Sequence, residues 1–461
     1  MTPARNKAGF ALIWALVQQY PRLSELAAML TPWFSQVAPV ALQQRWQELS
    51  HLEPDWQQLK QLPAQEQEQL WSHLVLVCGV VGFPPELLTQ LERWAFELEY
   101  PLAALETEIA AQRQALGRDL EEDTSDWVLR TCHALNVYLE TGSTPFYGFY
   151  SQRLLHFLSN GRSSDLWMYV AGLFAPPVVT APDYRLLPHD WEPWLQTVHQ
   201  DGYARFPKLL PAPAVQELVQ FAEQTPCLPS YHDREVHDPV TGKLLIEPIL
   251  FDPLAPVARR YNFMGEQIVA QPAVQALMAH ADLWAVAQAY LQAEPQLVLV
   301  SMWWSSDFQG PESRYTGQVF HIDIDRFACL SFFFCLTEVR PANGPHVYLR
   351  GSHRAKPLDL AVDKRMSEEE LLAHYAPEYW QPIMGPAGTA FAADTKAYHR
   401  GIPLQQGCRL MLQLEFATDR FGENTPRVPV AATDASFATL RAQFPERFVN
   451  YPMPLADAAG T

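Results

Sequence analysis

The sequence predicts an α+β protein, with an all-α N-terminal domain followed by a C-terminal domain of antiparallel strands and flanking helices. Three observations carry this. From the start to about Phe174 the chain is rich in Leu, Ala, Gln, Glu and Trp, punctuated by Pro and Gly. From Val319 onward, runs such as "VFHIDID", "ACLSFFFCLTEV", "HVYLR", "TAFAAD" and "CRLMLQLEFA" carry the β-branched and aromatic residues of strands. Between the two textures, "APPVVTAPDYRLLPHDWEPW" is proline-rich and reads as a connector. The expected boundaries are therefore 1–174 for the helical domain, 175–193 for the connector and 194–461 for the strand domain.

The first element follows Arg5 and Lys7. Its apolar run "FALIWALV" imitates a secretory leader, but "QQYPRLSELAAML" follows without a clean small-residue cleavage site, so an amphipathic first helix is expected. "LVLVCGVVGF" (74–83) is too short to span a bilayer and reads as a buried helix. A proline-led helix start opens "PPELLTQLERWAFELEY", with Leu, Trp and Phe at 3–4 spacing. No catalytic residue types gather in this half; His51, His73, His133 and His156 are isolated.

After the connector, "DGYARFPKLLPAPAVQELVQFAEQ" predicts a strand, a turn and a helix. "PAVQALMAHADLWAVAQAYLQ" predicts one further helix and "PQLVLVSMWWSS" a strand. In "RLMLQLEF" the alternation puts Arg409, Met411, Gln413 and Glu415 on one face. Leu410, Leu412, Leu414 and Phe416 take the other, so the leucine face should pack on helices and the mixed face should look into a barrel.

Composition narrows the chemistry. Of 461 residues, 48% are hydrophobic and 12% aromatic, enough for real cores. The formal net charge of −18 is a poor match to nucleic acid or anionic membranes, and no basic stripe overrides it. A small-molecule or carrier-protein-bound substrate is the better expectation. None of the six cysteines forms a CxxC pair, and most sit in apolar runs, which fits reduced thiols in a cytoplasmic protein.

"GQVFHIDIDRF" (317–327) places His321, Asp323 and Asp325 at alternate positions, on one face of an extended segment. Non-haem iron(II) sites use two histidines and one carboxylate on one side of the metal, leaving open positions for a co-substrate and oxygen. His321 and Asp323 supply two ligands. His399, in "DTKAYHRGIP", is the candidate third, ending a strand before a turn. Ten residues on, Arg409 opens the next strand, where its planar fork can clamp a carboxylate. Asp325, a strand repeat beyond Asp323, is expected at the mouth beside Arg326. Other pocket candidates are Trp303 or Trp304, one of which should face the interior, and His232 in the polar loop "YHDREVHD". His346 and His353 flank a glycine turn and read as structural.

Taken together, the HxD at His321–Asp323, "NGPHVYLRGSH" (343–353), "GTAFAADTKAYHRG" (388–401) and Arg409 resemble the phytanoyl-CoA dioxygenase family. "DGYARFPKLL" (201–210) is similar to that family's first strand. The resemblance covers about Trp194 to Asp419 and leaves the helical half uncovered. It implies a double-stranded β-helix of the jelly-roll, cupin-like kind. It further implies His321, Asp323 and His399 as ligands to iron(II), Arg409 on 2-oxoglutarate, and oxygen-dependent oxidation of a substrate C–H bond. Phe333 and Gly401 depart from a compared family member, which has tryptophan and serine there. Related halogenases replace the carboxylate by a small residue, so Asp323 favours hydroxylation. A cupin-like metal-binding sensor without turnover is the alternative, and the helical domain could instead dock a protein partner.

Overall fold

The computed structural model describes residues 3–19, 51–116, 130–166, 190–230, 247–310 and 317–454, with short gaps inside several stretches. The expected connector lies outside the described residues up to position 189, as does the whole loop that holds His232. Among the described residues no helix is long and apolar enough to cross a membrane.

The first half is helical: Pro3–Gln19, Trp56–Lys60, Ala64–Val80, Pro85–Glu97, Leu102–Leu116 and Phe146–Leu158. Asp55 starts the second of these, its carboxylate accepting from the Gln58 N–H at 3.0 Å. In Pro85–Glu97 the buried Leu87, Leu91, Trp94 and Ala95 recur at helical spacing and make one stripe. That stripe shares a core with Leu12, Leu16, Trp71, Leu74 and Val75. Trp71 stacks on Tyr100, with ring centres 4.9 Å apart.

The second half is built on two antiparallel sheets. The strands are β1 (Tyr203–Phe206), β2 (Leu228–Ser230), β3 (Arg260–Asn262), β4 (Gln296–Ser306) and β5 (Cys329–Cys335). They continue with β6 (His346–Leu349), β7 (Trp380–Ile383), β8 (Thr389–Ala393), β9 (His399–Gly401) and β10 (Cys408–Ala417). The larger sheet runs β1-β8-β5-β10-β4-β3-β2 and the smaller β7-β6-β9. As the alternation predicts, Leu410, Leu412, Leu414 and Phe416 join one core with residues of the helices Glu192–Asp201, Ala212–Gln224 and Ala281–Leu291. Trp284 meets Phe416 edge-on at 4.8 Å. The other face of the larger sheet packs on the smaller one through Trp303, Phe333, Phe391, Met411 and Tyr348.

Two elements differ from expectation. The single helix over 272–292 is two, Pro272–Met278 and Ala281–Leu291. His280 between them is extended, and its Nδ1 accepts the Asp282 N–H at 3.3 Å, capping the second helix. "VFHIDID" forms no continuous ladder. It is an extended segment held by isolated bridges, Phe320 to Met366 and His321 to His399. Alternation survives without the ladder, because Phe320, Ile322 and Ile324 all enter one apolar cluster.

That cluster includes Phe157 from the helical half. Further ties cross the same seam. The Asn160 amide brackets Lys356, accepting from its N–H at 2.9 Å and donating to its carbonyl at 2.8 Å. Gly422 N–H donates to Thr144 Oγ1 at 2.9 Å, and Arg420 N–H donates to the Tyr138 hydroxyl at 3.1 Å. The helix Phe146–Leu158 thus backs the segment that carries His321 and Asp323.

Candidate metal centre

His321 and His399 face each other across an antiparallel bridge, each N–H donating to the other's carbonyl at 3.0 and 2.9 Å. The Asp323 N–H donates to the Thr395 carbonyl at 2.9 Å, so both segments are fixed to one another by backbone. His399 opens β9 rather than ending a strand, with Ala397 and Tyr398 leading into it. The backbone alone therefore sets the three side chains on one side.

Their ligand atoms all lie within 4.8 Å of one another. His399 Nε2 stands 3.4 Å from Asp323 Oδ2, and His321 Nε2 stands 3.7 Å from Asp323 Oδ1. The far nitrogens are tied down: His321 Nδ1 donates to the Val319 carbonyl at 2.8 Å and His399 Nδ1 to the Ala397 carbonyl at 2.9 Å. A carbonyl only accepts, so Nδ1 carries a proton in each ring and Nε2 is the nitrogen turned to the carboxylate and available to a metal. Orientation by a carbonyl at the far nitrogen is the usual support of a metal-binding histidine. Burial and the neighbouring His399 push His321 down to about 3, which keeps the ring neutral. Burial works against charge on Asp323, while the positive charge of Arg365 nearby favours its carboxylate form. Two imidazole nitrogens and one carboxylate, on one face, fit a divalent iron.

Aromatic rings fix the back of the site. Tyr348 stacks on His399 at 5.0 Å and Tyr203 stacks on Tyr348 at 5.5 Å. Asp323 is the most open of the three candidates, its side chain 38% exposed against 12% for His321 and 8% for His399. It marks the side from which a substrate can approach.

The triad lines a cavity of about 80 Å³ together with Arg260, Trp303, Ser305, Gln318, Phe333, His346, Tyr348, Arg409 and Gln413. Arg409 is almost wholly buried, and its Nε and Nη1 have no hydrogen-bond partner among the described residues. A buried guanidinium with idle donors asks for an anion. Gly401 lets it in: a Cβ there would stand 3.2 Å from Arg409 Nη2 and 3.4 Å from His346 Cδ2.

The other sequence candidates separate. Trp303 lines the cavity. Trp304 does not; it points into the helix-facing core, where it stacks on Phe251 at 5.1 Å. Asp325 lies outside the cavity lining and reaches toward Arg153 of the helical half, 4.0 Å away. Arg326 is itself buried, donating to the Arg420 carbonyl at 3.0 Å and lying 4.0 Å from Glu415. His353 lies outside the triad cavity, its Nε2 at 3.1 Å from the His199 carbonyl and its ring against Gly202. Gly202 has φ +84°, and a Cβ there would come within 2.6 Å of His353 Nδ1.

Sequence reasoning missed Arg260 and the pocket position of His346 and Tyr348. The alternation of "HVYL" already puts His346 and Tyr348 on one face. For Arg260 the signal was weaker, since three residues of strand leave little pattern to read.

The family comparison falls in the same half of the chain. The family model described as Phytanoyl-CoA dioxygenase (PhyH) matches residues 198–405. No curated protein matches. Among solved structures, EctD from S. alaskensis with bound Fe is 22% identical, over 52% of this chain and 81% of that one, with a TM-score of 0.37. AviO1 from Streptomyces viridochromogenes Tue57 is 18% identical, over 51% of this chain and 98% of that one, with a TM-score of 0.34. The non-heme alpha ketoglutarate dependent epimerase SnoN from nogalamycin biosynthesis is 14% identical, over 49% and 82%, with a TM-score of 0.35.

Proposed function

Because residues 198–405 form a phytanoyl-CoA dioxygenase family domain, a domain of iron(II)- and 2-oxoglutarate-dependent oxygenases, we propose the following roles. His321, Asp323 and His399 hold the iron, and Arg409 holds the far carboxylate of 2-oxoglutarate. The reaction is oxidation, by hydroxylation in the first instance, of an unactivated C–H bond in a small-molecule or carrier-bound metabolite, with release of succinate and CO2. The observation that carries this reading is the convergence of two Nε2 atoms and one carboxylate beside a buried guanidinium whose Nε and Nη1 have no hydrogen-bond partner among the described residues. The two facing sheets support a double-stranded β-helix as the scaffold.

Bound iron with 2-oxoglutarate and oxygen supplies the oxidising power. The chain supplies the rest. Carbonyls of Val319 and Ala397 orient the ligand rings. Arg409 offers a planar, charge-assisted fork inside a small cavity, which fixes a dicarboxylate by its end. Trp303, Phe333 and Tyr348 form the apolar part of that cavity's wall. We read the helical half as a prop for the His321–Asp323 segment, through Phe157, with docking of a protein partner as a second role open to test.

Anaerobic addition of iron(II) and 2-oxoglutarate should produce the weak visible charge-transfer band of such a complex. Absence of the band in wild type, or its persistence in His399→Ala, would overturn the site. A normal band with no oxygen-dependent succinate, across a broad panel of metabolites, would instead favour a metal-binding sensor.

A further inference from the structure

Arg409 is not the only guanidinium in the cavity. Arg260 on β3 and Arg409 on β10 both pair with Ser305 of β4 in register, so the two arginines share one row on the inner face of the sheet. Arg260 Cζ lies 4.2 Å from the centre of the Trp303 indole ring, and its Nε donates to Asn262 Oδ1 at 2.8 Å. The cation–π contact and this bond hold the guanidinium through its Nε side and leave its Nη edge for a ligand. The edge reaches the metal side: a Cβ on Gly317 would lie 4.0 Å from Arg260 Nη1 and 3.6 Å from His321 Cε1. No carboxylate among the described residues lies within ion-pair distance of Arg260. Burial, then the nearby Arg409, bring it down to about 10, still charged at neutral pH.

Charge in the cavity then decides what is missing. Metal-binding histidines are neutral, and His346 is held well below the usual histidine value by burial and by Arg409. Among the described lining residues the two arginines against Asp323 leave one net positive charge, and Arg365 adds to the positive field at His321 and Asp323. A divalent iron raises this to three, and a dianionic 2-oxoglutarate returns it to one. Among the described residues the loaded cavity thus keeps a positive field that favours one further anion.

We propose that Arg260 anchors the molecule being oxidised by a carboxylate of its own, separate from the dicarboxylate on Arg409. The substrate is then a small free acid rather than an acyl group held as a thioester, since a thioester carries no charge at that carbon. The anchor stands beside His321, so the oxidised carbon lies a few bonds from the carboxylate, and the remainder of the molecule leaves past the open Asp323 side. This rests on the iron and 2-oxoglutarate reading above.

The test uses the full-length protein loaded with zinc(II), which prevents turnover, and with saturating 2-oxoglutarate. Acetate and acetamide serve as probes, titrated by calorimetry or ligand-observed NMR. Acetate should bind and acetamide should not. Arg260→Gln should weaken acetate by about tenfold or more, the value of a lost charge-assisted bond, with 2-oxoglutarate affinity unchanged. Arg260→Lys, which keeps the charge, should retain acetate and serves as the folding control. Equal binding of acetate and acetamide, or undiminished acetate binding in Arg260→Gln, would overturn the proposal. Loss of 2-oxoglutarate affinity in Arg260→Gln would also overturn it, by assigning Arg260 to the co-substrate. Failure of wild type to take up zinc and 2-oxoglutarate at all would remove the earlier reading, and this one with it.

Discussion

Gly401 lies directly against the Arg409 guanidinium, with space for a hydrogen and little more: a Cβ would stand 3.2 Å from Nη2. The glycine is the residue that lets the arginine reach its place from β10. Gly401→Ala should push Arg409 or His346 aside by a few tenths of an ångström. The expected outcome is a several-fold rise in KM for 2-oxoglutarate with iron affinity unchanged, read by titrating the visible band. An unchanged KM would mean that the guanidinium moves freely and does not grip the co-substrate.

The two aspartates of "HIDID" should behave differently. Asp323 faces both Nε2 atoms, whereas Asp325 reaches toward Arg153 on the helical half. Asp323→Ala should abolish iron-dependent succinate release and iron uptake. Asp325→Ala should leave iron bound, with a stability loss within about 1 kcal/mol, typical of a partly exposed ion pair. Iron content after desalting and a thermal melt distinguish them, and equal iron loss in both variants would contradict the assignment.

Much of this was legible in the sequence, for identifiable reasons. Period-two alternation in "RLMLQLEF" located both the helix-facing leucines and the inward Arg409. Alternation also put His321 and Asp323 on one face, although the segment is extended without a ladder. What stayed hidden depends on partners distant in sequence. Trp303 and Trp304 are equivalent in composition, and only the register of β4 with β3 and β10 turns one to the cavity and the other to the core. Arg260 sits on a three-residue strand, too short for a pattern, and Phe157 reaches its cluster from the other half of the chain.

Phe157 tests whether the helical half is a prop. It enters the cluster with Phe320, Ile322 and Ile324, the residues interleaved with His321 and Asp323. Phe157→Ala should cost about 3–5 kcal/mol, as for a large buried aromatic. It should also weaken iron binding, because the metal-bearing segment loses its backing. Chemical denaturation and an iron titration read the two effects. A normal iron affinity in a destabilised variant would reduce the helical half to stability or docking.

Lys356 gives a pH-dependent prediction away from the site. Burial is the main reason its ammonium is brought down to about 7; Lys396 adds to this and Asp394 opposes it. Its Nζ has no hydrogen-bond partner among the described residues, although the ring of Tyr398 lies 5.7 Å away. In the unfolded chain a lysine titrates near 10.4. Between these values the unfolded state binds the extra proton, so stability rises with pH across that window and the full penalty applies below about 7. Lys356→Met removes the group while keeping most of its volume. The variant should therefore melt higher than wild type at pH 6–7, with the gap closing as pH approaches 10. Melting curves at several pH values check this; a constant difference, or a variant less stable at pH 6, would show that the buried amine is satisfied in the folded protein.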